Sequence, residues 1–590
     1  MRGLKSYFPI IQWAYTYQRA QFSSDATAAL IVTIMLIPQS MAYALLAGLP
    51  PHIGLYASIL PLLGYMIFGT SNALAVGPVA VVSLMTAASI GTIAETGTAG
   101  YLAAAIMLAL LSGGILLLMG LFRLGFLSDF LSHPVVSGFI TASGILIAFS
   151  QMRHILGVES GGYSLLEIIS SLLTALPDTN WVAVSFGGSA LVFLFWVRSF
   201  MKAALQRLGL SATMAGNLAK AGPLLAVFVS VVCVHMLQLD HALPLVGAIP
   251  NQLPALGVPA FNLDLMQGLL LPALLISAIG FVESVSVART LAARRNEYID
   301  PNQELIGLGS ANVLSSLSGG YPVTGGLARS VVNLDAGAVT PAAGGLTALG
   351  IALATVFFTP YLYFLPKAIL AATIIVAVLS LVDFSVLKSS WIYSKSDFAA
   401  AMLTILVTLF AGVELGVSTG AAASIALYLI TTSQPHIAEI GLVPDTQHFR
   451  NVLRHKVIVS PSILSLRVDE NLFFANALHI EKHITGQLDG RPELRHVVLN
   501  CSSVSLIDSS ALEVLEALNA QLKTRDIQFH LVELKGPVED RLRRQDFIGQ
   551  LSGDLFLHQY QAVSTLDPKT YPPLSLSRSE LVEAMDGSHI

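Results

Sequence analysis

Apolar stretches recur along the first three quarters of the chain in two series of seven. The first lies at about 26–49, 54–70, 77–93, 101–122, 126–150, 181–200 and 221–239. The second lies at about 266–290, 303–319, 327–339, 341–359, 364–381, 397–414 and 416–432. Most approach the ~20 apolar residues that a helix needs to cross a bilayer. Three carry polar or helix-breaking residues where lipid penalises unpaired groups: Pro38-Gln39-Ser40-Met41-Ala42-Tyr43, Val76-Gly77-Pro78 and Gly325-Gly326-Leu327-Ala328-Arg329. The pattern predicts broken helices there. Segments three and ten are short and glycine-interrupted, and each is third in its series. Matching short segments in two halves predict an inverted repeat with a binding site at the repeat interface, and an odd number of crossings inverts the second half.

From about Gly441 the pattern changes to alternating strand and helix. Strands are predicted at Ile463–Val468, Leu472–Phe474, His496–Asn500 and Gln528–Leu534. Helices are predicted at about Asn476–Gly486, Ser509–Thr524 and Pro537–Ile548. The expected organisation is an N-terminal segment over 1–25, a transmembrane domain over 26–435, a soluble α/β domain over 441–566 and a tail over 567–590 that is loosely ordered beyond about Tyr571.

Composition agrees with the pattern. The 590 residues are 54% hydrophobic and 11% charged, where soluble domains carry about 25% charged residues. Roughly half of the charges fall after residue 440, so the net charge of −5 describes neither part. Arg198, Lys202, Arg207 and Lys220 flank one short loop, Arg294 and Arg295 follow segment eight, and Lys388 and Lys395 lie between segments twelve and thirteen. Asp240 to Asp264 contains no Lys or Arg. By the positive-inside rule both termini are cytoplasmic. Met1 to Phe22 reads as a surface-lying segment and not a cleaved leader, and Tyr163 to Leu176 as an amphipathic helix on the outer face. Cys233 and Cys501 fall in different surroundings, which predicts no disulfide and no cysteine metal site. No phosphate-binding glycine loop of Walker type, catalytic triad, metal cluster or nucleic-acid surface stands out, so an enzyme and an ATP-driven pump are not expected.

The chemistry concentrates at the interruptions. Half-helices that begin near the bilayer midplane present unpaired N–H groups and positive dipole ends. If those starting near Gly77, Pro78 and Val79, and near Leu327 and Ala328, face each other, they cradle an anion. Gln39 and Tyr43 are four apart on one helix face, and either line the pocket or bond a neighbouring helix. Arg329 either raises the local potential or pairs with Glu283 or Asp335. Glu283, inside an apolar run, is costly unless protonated, paired or cation-bound. It is a proton carrier or the partner of Arg329. Val287, four residues on, supplies no oxygen for a sodium cage, which favours the proton. Glu414 and Asp383 lie nearer segment ends and read as interfacial. In the soluble part, Asp508-Ser509-Ser510 opens a helix and suits an N-terminal cap.

These motifs resemble one family. Pro38 to Pro51 (PQSMAYALLAGLPP) followed by Gly54-Leu55-Tyr56-Ala57-Ser58 resembles the signature of the SulP (SLC26-type) anion transporters. Gly77-Pro78-Val79-Ala80 and Pro322 to Ser330 (PVTGGLARS) resemble that family's third and tenth segments, and Leu472 to Asn476 with Ile507 to Leu512 resembles its C-terminal STAS domain. The resemblance implies an α-helical membrane protein of about fourteen segments, a seven-plus-seven inverted repeat divided into core and gate, usually homodimeric, with a cytoplasmic α/β STAS-like domain. It places Gln39 and Tyr43 beside the anion, and a coupling acid in the region of Glu283 with Thr324 nearby. Ala328 stands where some relatives carry serine, which leaves recognition to the backbone. In related STAS domains a serine at the position of Ser509 or Ser510 is phosphorylated, although Ala511 replaces a glycine common there. The implied function is secondary anion transport by alternating access, first of all sulfate:proton symport. The alternatives are sodium-coupled bicarbonate transport and C4-dicarboxylate transport. More distant are a nucleobase permease, an anion channel and a scaffold acting through the soluble domain. The implied partners are the anion, the bilayer, a second copy and a cytoplasmic regulator, with H+ or Na+ as the coupling ion and no other cofactor. The expected location is a bacterial cell membrane.

Overall fold

A computed structural model describes residues 7–129, 132–259 and 261–572. The chain divides into two compact units, Met1–Ile425 and Ala426–Ile590. Residues 573–590 of the predicted tail lie outside the described residues.

Among the described residues, seven helices are long and apolar enough to cross a membrane. They are Arg19–Leu46, Pro51–Phe68, Ala99–Leu121, His133–Leu156, Trp181–Arg207, Leu263–Ala293 and Val413–Ser433. Shorter helices at Ala80–Gly91, Gly222–Leu237, Pro301–Leu317, Leu327–Asp335, Ala342–Phe357, Lys367–Val378 and Lys395–Ala411 complete the two series of seven. The amphipathic helix expected over Tyr163 to Leu176 is present at Leu165–Ala175, with Ser164 accepting from Glu167 N as its cap. Segment five begins later than the sequence predicts, at His133, after a 3₁₀ stretch at Leu124–Asp129. Ser132-His133-Pro134 explains the shift, because a proline near a helix start loses no helical hydrogen bond.

The expectation of a break at Pro38 is corrected. Arg19–Leu46 is one helix of 28 residues with Pro38 inside it. Proline removes a single N–H from the ladder, and in a tightly packed helix that loss is absorbed locally. Segments three and ten are broken as predicted. Val76–Gly77 and Thr324–Gly325 are extended and pair antiparallel, with Val76 opposite Gly325 and Gly77 opposite Thr324.

Small residues set how closely the helices of this unit approach. A Cβ added at Gly113 would stand 2.7 Å from Val313 N, and one at Gly309 would stand 2.8 Å from Leu117 N. Segments four and nine therefore meet backbone to backbone, as small-residue interfaces in membranes do. Ser112 Oγ lies 2.8 Å from Ser277 Oγ, which ties segment four to segment eight as well. Two buried carboxylates anchor loops. Asp25 accepts from Val339 N, Thr340 N and Thr340 Oγ1, and Glu304 accepts from Tyr65 Oη, Thr70 N and Thr70 Oγ1. Fully hydrogen-bonded acids of this kind need no further partner.

The second unit is built on a six-stranded sheet. Its order is Phe449–Asn451, Ile437–Leu442, Ile463–Val468, His496–Asn500, Gln528–Val532, Leu555–Phe556. The last four are mutually parallel and the first two pair antiparallel. Parallel strands need crossover helices, and Ala477–Thr485, Ser509–Thr524 and Gly536–Arg544 supply them. The strand predicted at Leu472–Phe474 is corrected to a single bridge, Leu472 to Ile507. There the Asn476 side chain accepts from Phe473 N and turns the chain into the next helix. His530 is fully buried and its Nδ1 accepts from Asp554 N. Burial pushes its pKa down to about 4, so the neutral ring directs Nε2–H toward His496 Nδ1 at 3.2 Å.

Candidate functional site

The two extended pairs end at two helix starts. Val79 is the N-cap of Ala80–Gly91, and Gly326 is the N-cap of Leu327–Asp335. Neither helix has a side-chain cap. The first-turn N–H groups of both are therefore left for a ligand, with positive dipole ends behind them. Their strands are antiparallel neighbours, so the two starts lie side by side and the helices depart in opposite senses. Pro78 and Val79 are buried, whereas Leu327 and Ala328 are exposed, so the cradle opens on the Leu327 side.

Arg329 is 2% exposed and lies between the two interruptions. Its Nη1 donates to Pro78 O and its Nη2 to Thr324 O at 3.4 Å. The sequence left open whether Arg329 pairs with a carboxylate. Its recorded bonds go instead to backbone carbonyls, one from each interrupted segment. Glu283 is an electrostatic neighbour of Arg329 but forms no ion pair with it within 4.0 Å. Arg329 Nε is buried with no hydrogen-bond partner. A Cβ at Gly326 would stand 2.9 Å from Arg329 Nη2 and 3.0 Å from Nε, so the guanidinium folds back only over glycine.

Gln39 is half-buried and Tyr43 is 9% exposed. Neither side chain hydrogen-bonds another described residue, and Tyr43 is electrostatically coupled to Arg329. The reading in which they bond a neighbouring helix finds no support. Two donors left without protein partners beside a buried guanidinium suit an anion.

Several residues that the sequence reading passed over hold the cradle rigid. Ser284 Oγ accepts from Gly325 N at 2.8 Å and lies 2.6 Å from Thr324 Oγ1. Asn312 binds both ends of Val323, accepting from its N–H and donating to its carbonyl, each at 2.9 Å. Ser330 Oγ accepts from Ala75 N at 2.9 Å, and Tyr321 Oη lies 3.1 Å from Ser83 Oγ. Asn312 was detectable, because an amide in an apolar helix is a functional candidate by default. Serines in such runs give no comparable signal.

Thr324 is committed to segment eight, donating to Gly280 O at 2.7 Å. Glu283 follows on the same helix and is an electrostatic neighbour of Tyr43 and Arg329. Its Oε2 is buried without a partner, and the residue borders a small cavity of about 30 Å³ lined by Val135, Phe139, Ile279, Val282, Val417 and Ala421. These come from segments five, eight and fourteen, and no hydrogen bond joins Glu283 to Thr324.

In the second unit Ser509 and Ser510 are exposed at the start of Ser509–Thr524. Asp508 caps that helix, accepting from Ala511 N at 2.8 Å and also from Phe474 N at 3.0 Å. Among the described residues no group of three or more His, Cys, Asp and Glu is placed to hold a metal ion.

A sequence model described as the sulfate permease family matches residues 22–404, and one described as the STAS domain matches residues 455–562. The chain is 37% identical over 534 residues to Sulfate transporter 4.1, chloroplastic, of Arabidopsis thaliana, covering 88% of this chain and 76% of that one. It is 31% identical over 591 residues to High affinity sulfate transporter 1 of Stylosanthes hamata, covering 96% and 87%. Among solved structures, the murine Solute Carrier 26 family member A9 anion transporter in the inward-facing state is similar with a TM-score of 0.86. It is 23% identical, covering 95% of this chain and 94% of that one. The transmembrane domain of the cyanobacterial bicarbonate transporter BicA is similar with a TM-score of 0.59 at 20% identity, over 69% of this chain and 98% of that one. The two named sequence relatives are plant proteins, one of them chloroplastic, and lend no support to a bacterial cell membrane.

Proposed function

Because the chain belongs to the sulfate permease family of integral membrane transporters, we propose that it is a secondary transporter of sulfate coupled to protons. The observation that carries the reading is the pair of uncapped helix starts at Ala80 and Leu327, set side by side by the Val76–Gly77 and Thr324–Gly325 pairing with Arg329 between them. A tetrahedral oxyanion accepts from N–H groups in several directions at once, and this arrangement presents donors from two helix ends. Gln39 and Tyr43 add side-chain donors. Ala328 adds none, so the backbone carries most of the recognition. The names of the sequence relatives support sulfate over bicarbonate or a dicarboxylate.

Coupling is assigned to Glu283. A sodium ion needs several oxygen ligands around it, whereas the cavity beside Glu283 is otherwise apolar and holds about one water. A proton needs only the carboxylate. In this reading the acid sits where segment eight passes segments five and fourteen. Protonation removes a charge that would otherwise resist movement of segment eight past that apolar surface. The termini face the cytoplasm, as the placement of Arg294, Arg295, Lys388 and Lys395 directs.

The test is uptake of labelled sulfate into proteoliposomes at two pH values, with and without sodium, against bicarbonate, fumarate, succinate, chloride and uracil. The expected result is sulfate uptake stimulated by an inward proton gradient and indifferent to sodium. Uptake driven by sodium, or transport of bicarbonate or a dicarboxylate in place of sulfate, would overturn the assignment.

A further inference from the structure

A second cavity, of about 390 Å³, lies at the opposite end of segment one from the N-terminus. Its walls come from the ends of segments one, three and five, the start of segment four and the turn between segments thirteen and fourteen. In the orientation proposed above this is the outer face. The cavity has room for roughly a dozen waters at about 30 Å³ each, enough for a small hydrated oxyanion. Two charged side chains line it, Arg153 and Glu414.

Arg153 is in the last turn of His133–Leu156, where a cation would ordinarily serve the free carbonyls. Two of those carbonyls already have backbone donors. Gly157, at φ +66, and Val158 both donate to Arg153 O, and Asn180 N donates to Leu156 O. The guanidinium instead turns away from the helix end. Its Nη1 donates to Ser160 O at 3.1 Å and its Nε to His154 Nε2 at 3.3 Å. Its Nη2 forms no hydrogen bond to a described residue and is accessible, and Arg153 lines the cavity.

No carboxylate among the described residues comes within 4.0 Å of Arg153. Its electrostatic neighbours are His154 and the Tyr101 phenol, which is itself coupled to Tyr163. Glu414 is engaged elsewhere, with Oε1 accepting from Ser89 Oγ on segment three. The cavity thus holds a guanidinium that is in no ion pair, two phenols beside it, and a carboxylate, Glu414, bonded to Ser89 on another part of the wall.

We infer that Arg153 makes the outer cavity a second, shallower binding site for a small oxyanion, through which the anion enters before it reaches the cradle. The proposal rests on the transport reading only for which anion passes and which face is outer. A cleft lined by low-dielectric walls focuses the field of such a charge and raises the local anion concentration. Arg153 is accordingly a capture residue, distinct from Arg329, whose donors clamp the cradle itself.

The experiment places a reporter thiol at Thr96, an exposed residue on the cavity wall, in a chain whose Cys233 and Cys501 are changed to alanine. Intact cells or sealed vesicles are labelled from outside with anionic and with cationic membrane-impermeant methanethiosulfonates. With Arg153 present, the anionic reagent is expected to react faster relative to the cationic one than it does with a free thiol in solution. Sulfate in the bath should slow it. Arg153→Gln should lower the anionic-to-cationic rate ratio about tenfold and abolish the effect of sulfate, and Arg153→Lys should retain most of the preference. If Arg153→Gln fails to fold, the salt dependence of the ratio with Arg153 in place decides, because a field effect must shrink as ionic strength rises. A ratio equal to that of a free thiol, or unchanged in Arg153→Gln, overturns the site, as does labelling from the cytoplasmic side alone. Charge selectivity that persists while sulfate uptake is absent would leave the site standing and remove the sulfate reading instead.

Discussion

Replacement of Arg329 by alanine is expected to weaken sulfate binding about 100-fold and to lower the melting temperature of the purified protein. Two effects combine. A buried unit charge next to a divalent anion is lost, and at the effective dielectric of protein sites such a contact is worth a few kcal/mol. In addition, Pro78 O, in a buried residue, loses its donor, and an unsatisfied buried carbonyl costs about 1–3 kcal/mol, while the longer contact to Thr324 O is lost as well. These carbonyls belong to the two interrupted segments, so the change also loosens the crossing that positions the helix starts. Arg329→Lys restores the charge but not the planar fork that reaches both carbonyls, and binding about tenfold weaker than wild type is expected. Calorimetric titration with sulfate and a thermal melt on the same samples separate the two effects. Unchanged sulfate affinity in Arg329→Ala would remove the guanidinium from the site.

The second large effect falls on coupling. Glu283→Gln keeps the shape of the side chain and removes its ability to carry a proton. Stimulation of sulfate uptake by an inward proton gradient is expected to disappear, while sulfate affinity in detergent stays within about threefold of wild type. The split follows from the geometry. Glu283 borders the apolar cavity shared with segments five and fourteen, and it donates and accepts no recorded bond in the cradle. The sign of the pH effect is also fixed. If the protonated acid is the form that permits movement, wild-type uptake rises as external pH falls, and the variant becomes flat across the same range. Equal stimulation in variant and wild type would place the coupling acid elsewhere.

The interruptions at Val76-Gly77-Pro78 and Gly325-Gly326 were legible because glycine and proline in apolar runs have few other uses. Their pairing across the repeat followed from position alone. Pro38 misled for a related reason. The residue type signals a lost hydrogen bond, but whether a helix breaks depends on its packing, and the tight contact of segment one with segment two hides that in sequence. There a Cβ at Gly54 would fall within 2.0 Å of Ser40 O, at 1.9 Å. Glu283 was recognisable as a costly buried acid. Its surroundings were not, since Val135, Phe139 and Val417 are more than a hundred residues away and each looks like ordinary membrane packing. Arg329 shows the same limit. The sequence offered two carboxylates as partners, and the fold supplied backbone carbonyls from loops that no spacing rule connects. In the second unit the central strands and the Ser509–Thr524 helix were readable from alternation and capping, whereas Leu472–Phe474 was apolar enough to resemble a strand and is a turn fixed by Asn476.

The central claim is that the anion rests between the starts of the Ala80 and Leu327 helices. Selenate has the shape and charge of sulfate and carries an anomalous scatterer, so crystals of the full chain grown with selenate locate it directly. The account predicts an anomalous peak within hydrogen-bonding distance of the first-turn N–H groups of both helices, close to Gln39 and Tyr43, that vanishes when excess sulfate is added. A crossing point empty of signal, with selenate ordered at another place in the membrane unit, would contradict it.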